Sequence, residues 1–215
     1  MNFQKIIDLT LVIEHGTRGY EVNPVCFFNQ YQTIQEDGYN LMQVILNSHV
    51  GTHIDAPYHF LDDGLKLDEI PLERFMGEAV IIDCSYKKAK ELITLKDLEG
   101  SKDRVKENGI VLIRTDWDRY YPGRAFNYDM PNVSLECIDF FVEKKINMLG
   151  LQTPSLNWEE DNPAAHCKLL GAGILLVESL ANLDQIEKES CFFMALPLKL
   201  KGLDGFPVRA LALLE

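Results

Sequence analysis

A mixed α/β (α+β) fold is what this sequence predicts, and three observations carry the prediction. Short apolar runs rich in β-branched residues alternate with stretches of helical periodicity. Of the 215 residues, 47% are hydrophobic, enough to fill a sizeable core. No internal repeat, low-complexity tract or Gly/Ser- or Pro-rich linker interrupts the chain, so one domain over residues 1–215 is expected.

Taken in order, Ile6–Ile13 opens the strands with closely spaced Ile, Leu and Val, and Leu41–Leu46 and Ala79–Cys84 follow as short aliphatic runs. Ile110–Arg114 begins with four consecutive β-branched or aliphatic residues. A loop is expected from Arg119 to Asn132, which carries Tyr120, Tyr121, Tyr128, Pro122 and Gly123. It is either a cover for a substrate or surface structure. The clearest helix is Leu135–Lys145, where Ser134 can cap the start. Ile138, Phe141 and Val142 form its apolar stripe, and Lys144 and Lys145 suit its carboxyl end. Met148–Leu151 is the next strand. Asn162-Pro163 opens a second helix over Ala164–Leu170, which Gly171 ends. The strand Ile174–Glu178, a third helix beginning after Asn182, and the strands Cys191–Leu196 and Val208–Leu213 complete the series.

Composition narrows the function. The formal net charge of -12 argues against a nucleic-acid partner, because phosphate-tracking surfaces cluster Lys and Arg. The one basic cluster, Lys87-Lys88-Ala89-Lys90, is expected to be solvated surface. Five scattered cysteines without a C-x-x-C pair suggest neither a disulfide framework nor a thiolate zinc site. No run reaches the roughly 20 apolar residues that span a bilayer, and the amino terminus does not read as a signal peptide. A cytoplasmic protein with a small-molecule partner, and no membrane partner, is the expectation.

The chemistry concentrates in HVGTHIDAPYH, where His49, His53 and His59 lie within eleven residues with Asp55 among them. Imidazole nitrogen and carboxylate oxygen are the usual ligands of zinc and suit manganese as well. A lone histidine is most often a hydrogen-bonded core or surface residue, but three with an aspartate around a glycine point to a metal. On a straight strand His49 and His53 would stand about 13 Å apart, too far to share an ion. Gly51, Thr52, Ile54 and Pro57 all resist a helix. The remaining solution is a strand entering from Met42–Asn47 that bends at Gly51.

HVGTHIDAPYHF also resembles the H-x-G-T-H-x-D-x-P-x-H-F signature of the cyclase family, which includes bacterial kynurenine formamidases and isatin hydrolases. The likeness continues through Asp8-Leu9-Thr10, Leu112 to Trp117 and Gly150-Leu151-Gln152-Thr153-Pro154-Ser155. It resumes at His166, Glu178 to Leu183, Leu196-Pro197-Leu198 and Asp204 to Ala210. The resemblance implies the family's swivelling β/β/α-type domain, usually a homo-oligomer (dimer or tetramer), with two divalent ions, Zn2+ or Mn2+. His49, His53 and Asp55 would hold one, and Asp55, His166 and Glu178 the other. His59 would be the catalytic acid/base. The implied reaction is attack of a metal-bound hydroxide on a small amide, formamide or lactam, similar to arylformamidase (kynurenine formamidase). A lactonase or cyclase on a small cyclic metabolite, and a metal-binding member without catalysis, are the alternatives.

The chain departs from the family pattern twice. Gly19-Tyr20-Glu21-Val22-Asn23-Pro24 stands where kynurenine formamidases carry a W-P-G-D-like segment, so Tyr20 takes the place of a substrate-packing tryptophan. Gln152 stands where aspartate is common in G-x-D-T-P-S. Both departures bear on substrate rather than metal. Aromatic candidates for the pocket are Tyr20, Phe27, Phe60, Trp117 and Trp158.

Overall fold

A computed structural model describes residues 3–157 and 161–215, so Trp158 lies outside the described residues. The strands in chain order are β1 (Lys5–Asp8), β2 (Phe27–Gln32), β3 (Leu41–Ile45), β4 (His53–Asp55), β5 (Met76–Asp83), β6 (Leu92–Ile93), β7 (Ile110–Arg114), β8 (Asn132–Val133), β9 (Met148–Leu151), β10 (Leu175–Glu178), β11 (Ser190–Pro197) and β12 (Gly205–Leu214). The helices are α1 (Ile34–Asp37), α2 (Leu95–Leu98), α3 (Arg124–Tyr128), α4 (Leu135–Glu143) and α5 (Asn162–Gly171).

Eight strands form one sheet in the order β1-β12-β11-β5-β7-β9-β10-β4, and a further pairing of β4 with β12 closes it into a barrel. β5, β7, β9 and β10 run parallel, and the remaining pairings are antiparallel. Parallel strands covered on both faces read as continuous apolar runs. Ala79, Ile81, Ile110, Leu112 and Val177 face the interior. Val80, Ile82, Val111, Ile113 and Leu176 face outward beneath Ile138 and Phe141 of α4 and Leu169 and Leu170 of α5. Each fully buried Val, Leu, Ile or Phe among them contributes about 1.5–3 kcal/mol relative to exposure. Ser134 caps α4 by accepting from the Cys137 amide, as its sequence position implies.

The structure corrects several expectations. β1 stops at Asp8, and the chain then crosses the barrel end, where Thr10 bridges Leu180. No helix follows Asn182: that residue adopts φ 58, and Leu183–Gln185 make one 3-10 turn. β3 does not enter the site but pairs with β2 in a separate two-stranded ribbon. Lys87 is not free surface, since its ammonium pairs with Asp97 at 2.9 Å. All five cysteines are free thiols. Among the described residues no helix is long and apolar enough to cross a membrane.

Candidate functional site

Three residues of β4 lie between two neighbours and so bring distant chain to the signature. On one side Glu178 of β10 lies opposite His53, and Leu176 opposite Asp55. On the other, Gly205 of β12 lies opposite Asp55 and Pro207 opposite His53. The bend sits where the sequence places it: Gly51 has φ +60, and a Cβ there would meet Cγ1 of Ile13 at 2.6 Å. A side chain would therefore be both strained and crowded. Past β4, Pro57 opens a 3-10 turn that presents His59.

The turn at Gly51 returns His49 over the strand. Its ring stacks on His59 with centroids 3.8 Å apart and meets His53 edge-on at 5.1 Å. His49 lies between carboxylates, with Nδ1 2.9 Å from Asp55 Oδ1 and Nε2 2.7 Å from Asp204 Oδ2. Nδ1 of His53 donates to the Gly51 carbonyl at 2.9 Å, leaving Nε2 3.5 Å from Asp55 and 3.4 Å from Glu178. Nδ1 of His166 donates to the Asn162 carbonyl one turn back on α5. Its Nε2 lies 3.3 Å from Glu178 and 3.9 Å from Asp55.

The electrostatics follow from burial among charges. Burial opposes protonation of His49, yet the hydrogen bonds it donates to Asp204 and Asp55 outweigh it and hold its pKa up at about 10. For His53 burial wins, and its pKa is lowered despite Asp55. Burial likewise opposes charge on His166, but Glu178 raises it. Burial would raise Asp55 and Asp204, but their imidazole partners hold both carboxyls below the usual range. Tyr20 is pushed upward by burial and by the negative Glu178, so it stays a neutral phenol.

This donor set fits a divalent cation. Asp55 Oδ2 is buried and has no hydrogen-bond partner. An orphaned carboxylate oxygen in such a place calls for a cation. His53 and His166 each hold one ring nitrogen on a backbone carbonyl and turn the other toward carboxylates, which is the usual way a ligating imidazole is oriented. Donor atoms of His53, Asp55 and Glu178 lie within 4.8 Å of one another, as do those of His49, Asp55 and His59. Asp55 is common to both groups. His59 as well as His53 stands beside His49 and Asp55, so these two groups overlap the division that the resemblance implied without reproducing it.

These residues open onto a cavity of about 780 Å³, with His53, His166 and Glu178 on its buried side and Tyr20, Phe60 and Arg124 along its walls. That volume suits a small molecule. Phe60 stacks on the His166 ring at 4.5 Å and 21°. The Tyr20 hydroxyl donates to the Pro154 carbonyl at 3.4 Å. The expected loop reaches the cavity through residues 121–128, although it contains α3.

Other candidates fall elsewhere. Phe27 lies on the exposed ribbon, and Trp117 is buried with Phe126 and Met130. Gln152 is fully buried off the cavity, accepting from the amides of Thr115 and Asp116 and donating to Asp118. Its departure from aspartate is thus a packing matter. Asp204 was assigned no role from the sequence. It accepts from His49 and stands 3.4 Å from His59 Nδ1, and its only sequence signal was the matching stretch that begins at Asp204.

Comparison with known proteins agrees with this geometry. A family model described as "Putative cyclase" matches residues 7–157. A kynurenine formamidase of Bacillus cytotoxicus is 33% identical over 178 residues, 82% of this chain and 81% of that protein. The structure of isatin hydrolase A from Labrenzia aggregata superposes with a TM-score of 0.88 at 29% identity, covering 98% of this chain and 93% of the other. A Bacillus stearothermophilus protein described as a predicted metal-dependent hydrolase superposes with a TM-score of 0.81 at 26% identity, covering 97% and 98%.

Proposed function

This chain belongs to the cyclase family and is a hydrolase acting on carbon–nitrogen bonds other than peptide bonds; from that premise we propose that it hydrolyses a small aryl formamide or lactam. In this reading His49, His53, Asp55, His166 and Glu178 hold two divalent ions, zinc or manganese, with Asp55 common to both, and His59 transfers the proton. The observation that carries it is the orphaned, buried Asp55 Oδ2 among imidazoles whose outer nitrogens are already engaged.

A bound divalent ion would supply Lewis acidity, lowering the pKa of a water and polarising the scissile carbonyl. The chain's own residues supply the rest. His59 lines the cavity with its side chain 27% exposed, so it can reach both water and substrate. With Nδ1 facing Asp204, Nε2 is the nitrogen left to pass a proton to the departing amine. Asp204 holds the ring in that orientation, while stacking on His49 restricts its tilt. Tyr20 and Phe60 offer flat apolar walls for an aromatic ring. The neutral phenol of Tyr20 adds no charge near the carboxylates.

The test is turnover of aryl formamides, isatin-like lactams and lactones by the metal-loaded protein. Hydrolysis of formamides or lactams is expected. Turnover of lactones alone would reassign the enzyme as a lactonase, and none on any substrate, with metal bound, would leave a binding protein. His59→Ala is expected to retain metal and lose 10²–10⁴-fold in turnover, roughly what a positioned acid/base contributes. Unchanged turnover would remove its assigned role.

A further inference from the structure

Two guanidinium groups at the cavity have no part in the chemistry described above. Of the seven arginines, Arg104, Arg114 and Arg209 pair with carboxylates, and Arg74 donates to Asn147 and to the Gly173 carbonyl. Arg18 and Arg124 both line the cavity and both are exposed, yet among the described residues neither pairs with a carboxylate. In a chain of net charge -12, two such cations on one concave surface are open to an anion from outside the chain.

The fold also holds both groups in place. The Arg124 guanidinium lies over the Tyr128 ring at 4.8 Å, a contact that occupies one face of the group and none of its N–H donors. Arg18 donates through Nη1 to the Glu21 carbonyl at 3.0 Å and keeps its other donors. The Gly19 carbonyl accepts from Asn127 Nδ2 at 2.9 Å, and the Val12 carbonyl accepts from the Tyr121 hydroxyl at 3.0 Å. These bonds join the segment that carries Arg18 to the segment that carries Arg124, so both guanidinium groups border the same part of the cavity.

We propose that Arg124, assisted by Arg18, recognises an anionic group of the substrate, so that the amide hydrolysed here carries a carboxylate remote from the scissile bond. The substrate assignment rests on the amide-hydrolase reading given above, whereas the anion site itself does not. A guanidinium fork matches a carboxylate with two parallel N–H···O bonds. Glu14 and Glu21 share the lining, which favours a singly charged carboxylate over a dianionic phosphate. Size agrees, since a cavity of about 780 Å³ is of the class that holds drug-sized ligands and exceeds an unsubstituted aryl formamide.

Formanilide, its meta- and para-carboxylates and its para-aminomethyl derivative present one amide in neutral, anionic and cationic form. With the metal-loaded enzyme at least one carboxylate should exceed formanilide in kcat/KM by roughly 5- to 50-fold, chiefly through KM, and the advantage should shrink as salt rises. Arg124→Gln should bring that ratio close to one, and Arg124→Lys should restore part of it. Arg119→Gln, outside the cavity lining, should leave the ratio unchanged. Calorimetric titration of chelator-treated protein with the same compounds reads the preference as binding, without turnover, so failure of the hydrolytic reading and failure of the anion site are told apart. Equal treatment of neutral and anionic amides, preference for the cationic one, or a preference that survives Arg124→Gln would each overturn the proposal.

Discussion

Loading the protein with metal should raise its melting temperature by an amount that can be worked out beforehand, and Asp55→Asn should abolish the rise. Asp55 is buried, contributes donor atoms to both ligand groups, and leaves Oδ2 without a partner. A cation that binds only the folded state stabilises it by about 2.7 kcal/mol at a free concentration 100-fold above Kd. For a chain of this size each kcal/mol moves the melting temperature by roughly 2–4 °C, so a rise of about 5–11 °C is expected. Asparagine preserves shape and one acceptor oxygen but removes the charge from both groups, so the rise should vanish with the fold intact. Protons compete, since His49, with its pKa near 10, and His166, also raised, must release them to ligate. The rise should therefore shrink as the pH falls. Calorimetry of chelator-treated protein with added zinc or manganese, with elemental analysis beside it, reads the result. No metal in the purified protein and no shift on addition would refute the argument. A full shift in Asp55→Asn would refute the role of Asp55.

Gly205→Ala should lower metal content and destabilise by about 1–3 kcal/mol through overpacking, read by elemental analysis and urea melts. The new Cβ would lie 2.6 Å from the Ile54 carbonyl and 2.8 Å from His49 Cε1. Gln152→Glu should cost roughly 2–4 kcal/mol at neutral pH, because it sets a buried carboxylate against Asp118, and should leave KM unchanged. The folded pKa of the introduced carboxyl is raised, so urea melts should show the penalty grow above the ordinary glutamate range and disappear below it. Asp97→Asn should lose roughly 1.5–3 kcal/mol, since the Asp97 carboxylate accepts from Lys87, Tyr86 and the Thr94 amide and hydroxyl. Burial works against that carboxylate, but these donors lower its pKa. The wild-type advantage should hold above the ordinary aspartate range and fade as the pH falls through the lowered value, in melts run against pH.

Legibility in the sequence followed burial. β7, β9 and β10 are apolar on both faces, so their residues announce them without any knowledge of partners. α4 was readable because Ser134 and the stripe of Ile138 and Phe141 agree. β2 was missed because Phe27-Phe28-Asn29-Gln30-Tyr31-Gln32 has no clean alternation and no buried face within the chain. The helix expected after Asn182 failed because Leu183 and Ile186 are buried at helical spacing, yet the segment closes after a single turn. Among the site residues, His49, His53, Asp55 and His59 could be named from local density alone. His166 and Glu178 needed a resemblance, because nothing local separates Glu178 from the other 32 acidic residues.

The reason is topological. β4 is only three residues long, yet it closes the barrel, and its two edges recruit chain from 121 to 154 positions away. On the β10 edge the register puts Glu178 opposite His53, and on the β12 edge it sets Gly205 opposite Asp55, with Asp204 immediately before it. A one-residue slip on either edge would turn these side chains to the other face of the sheet. The same backbone hydrogen bonds that remove the barrel's open edge therefore align the carboxylates with the imidazoles. Fold and site share one set of contacts, and changes at Gly205 or Ile54 should disturb ligand binding before they disturb the distant core.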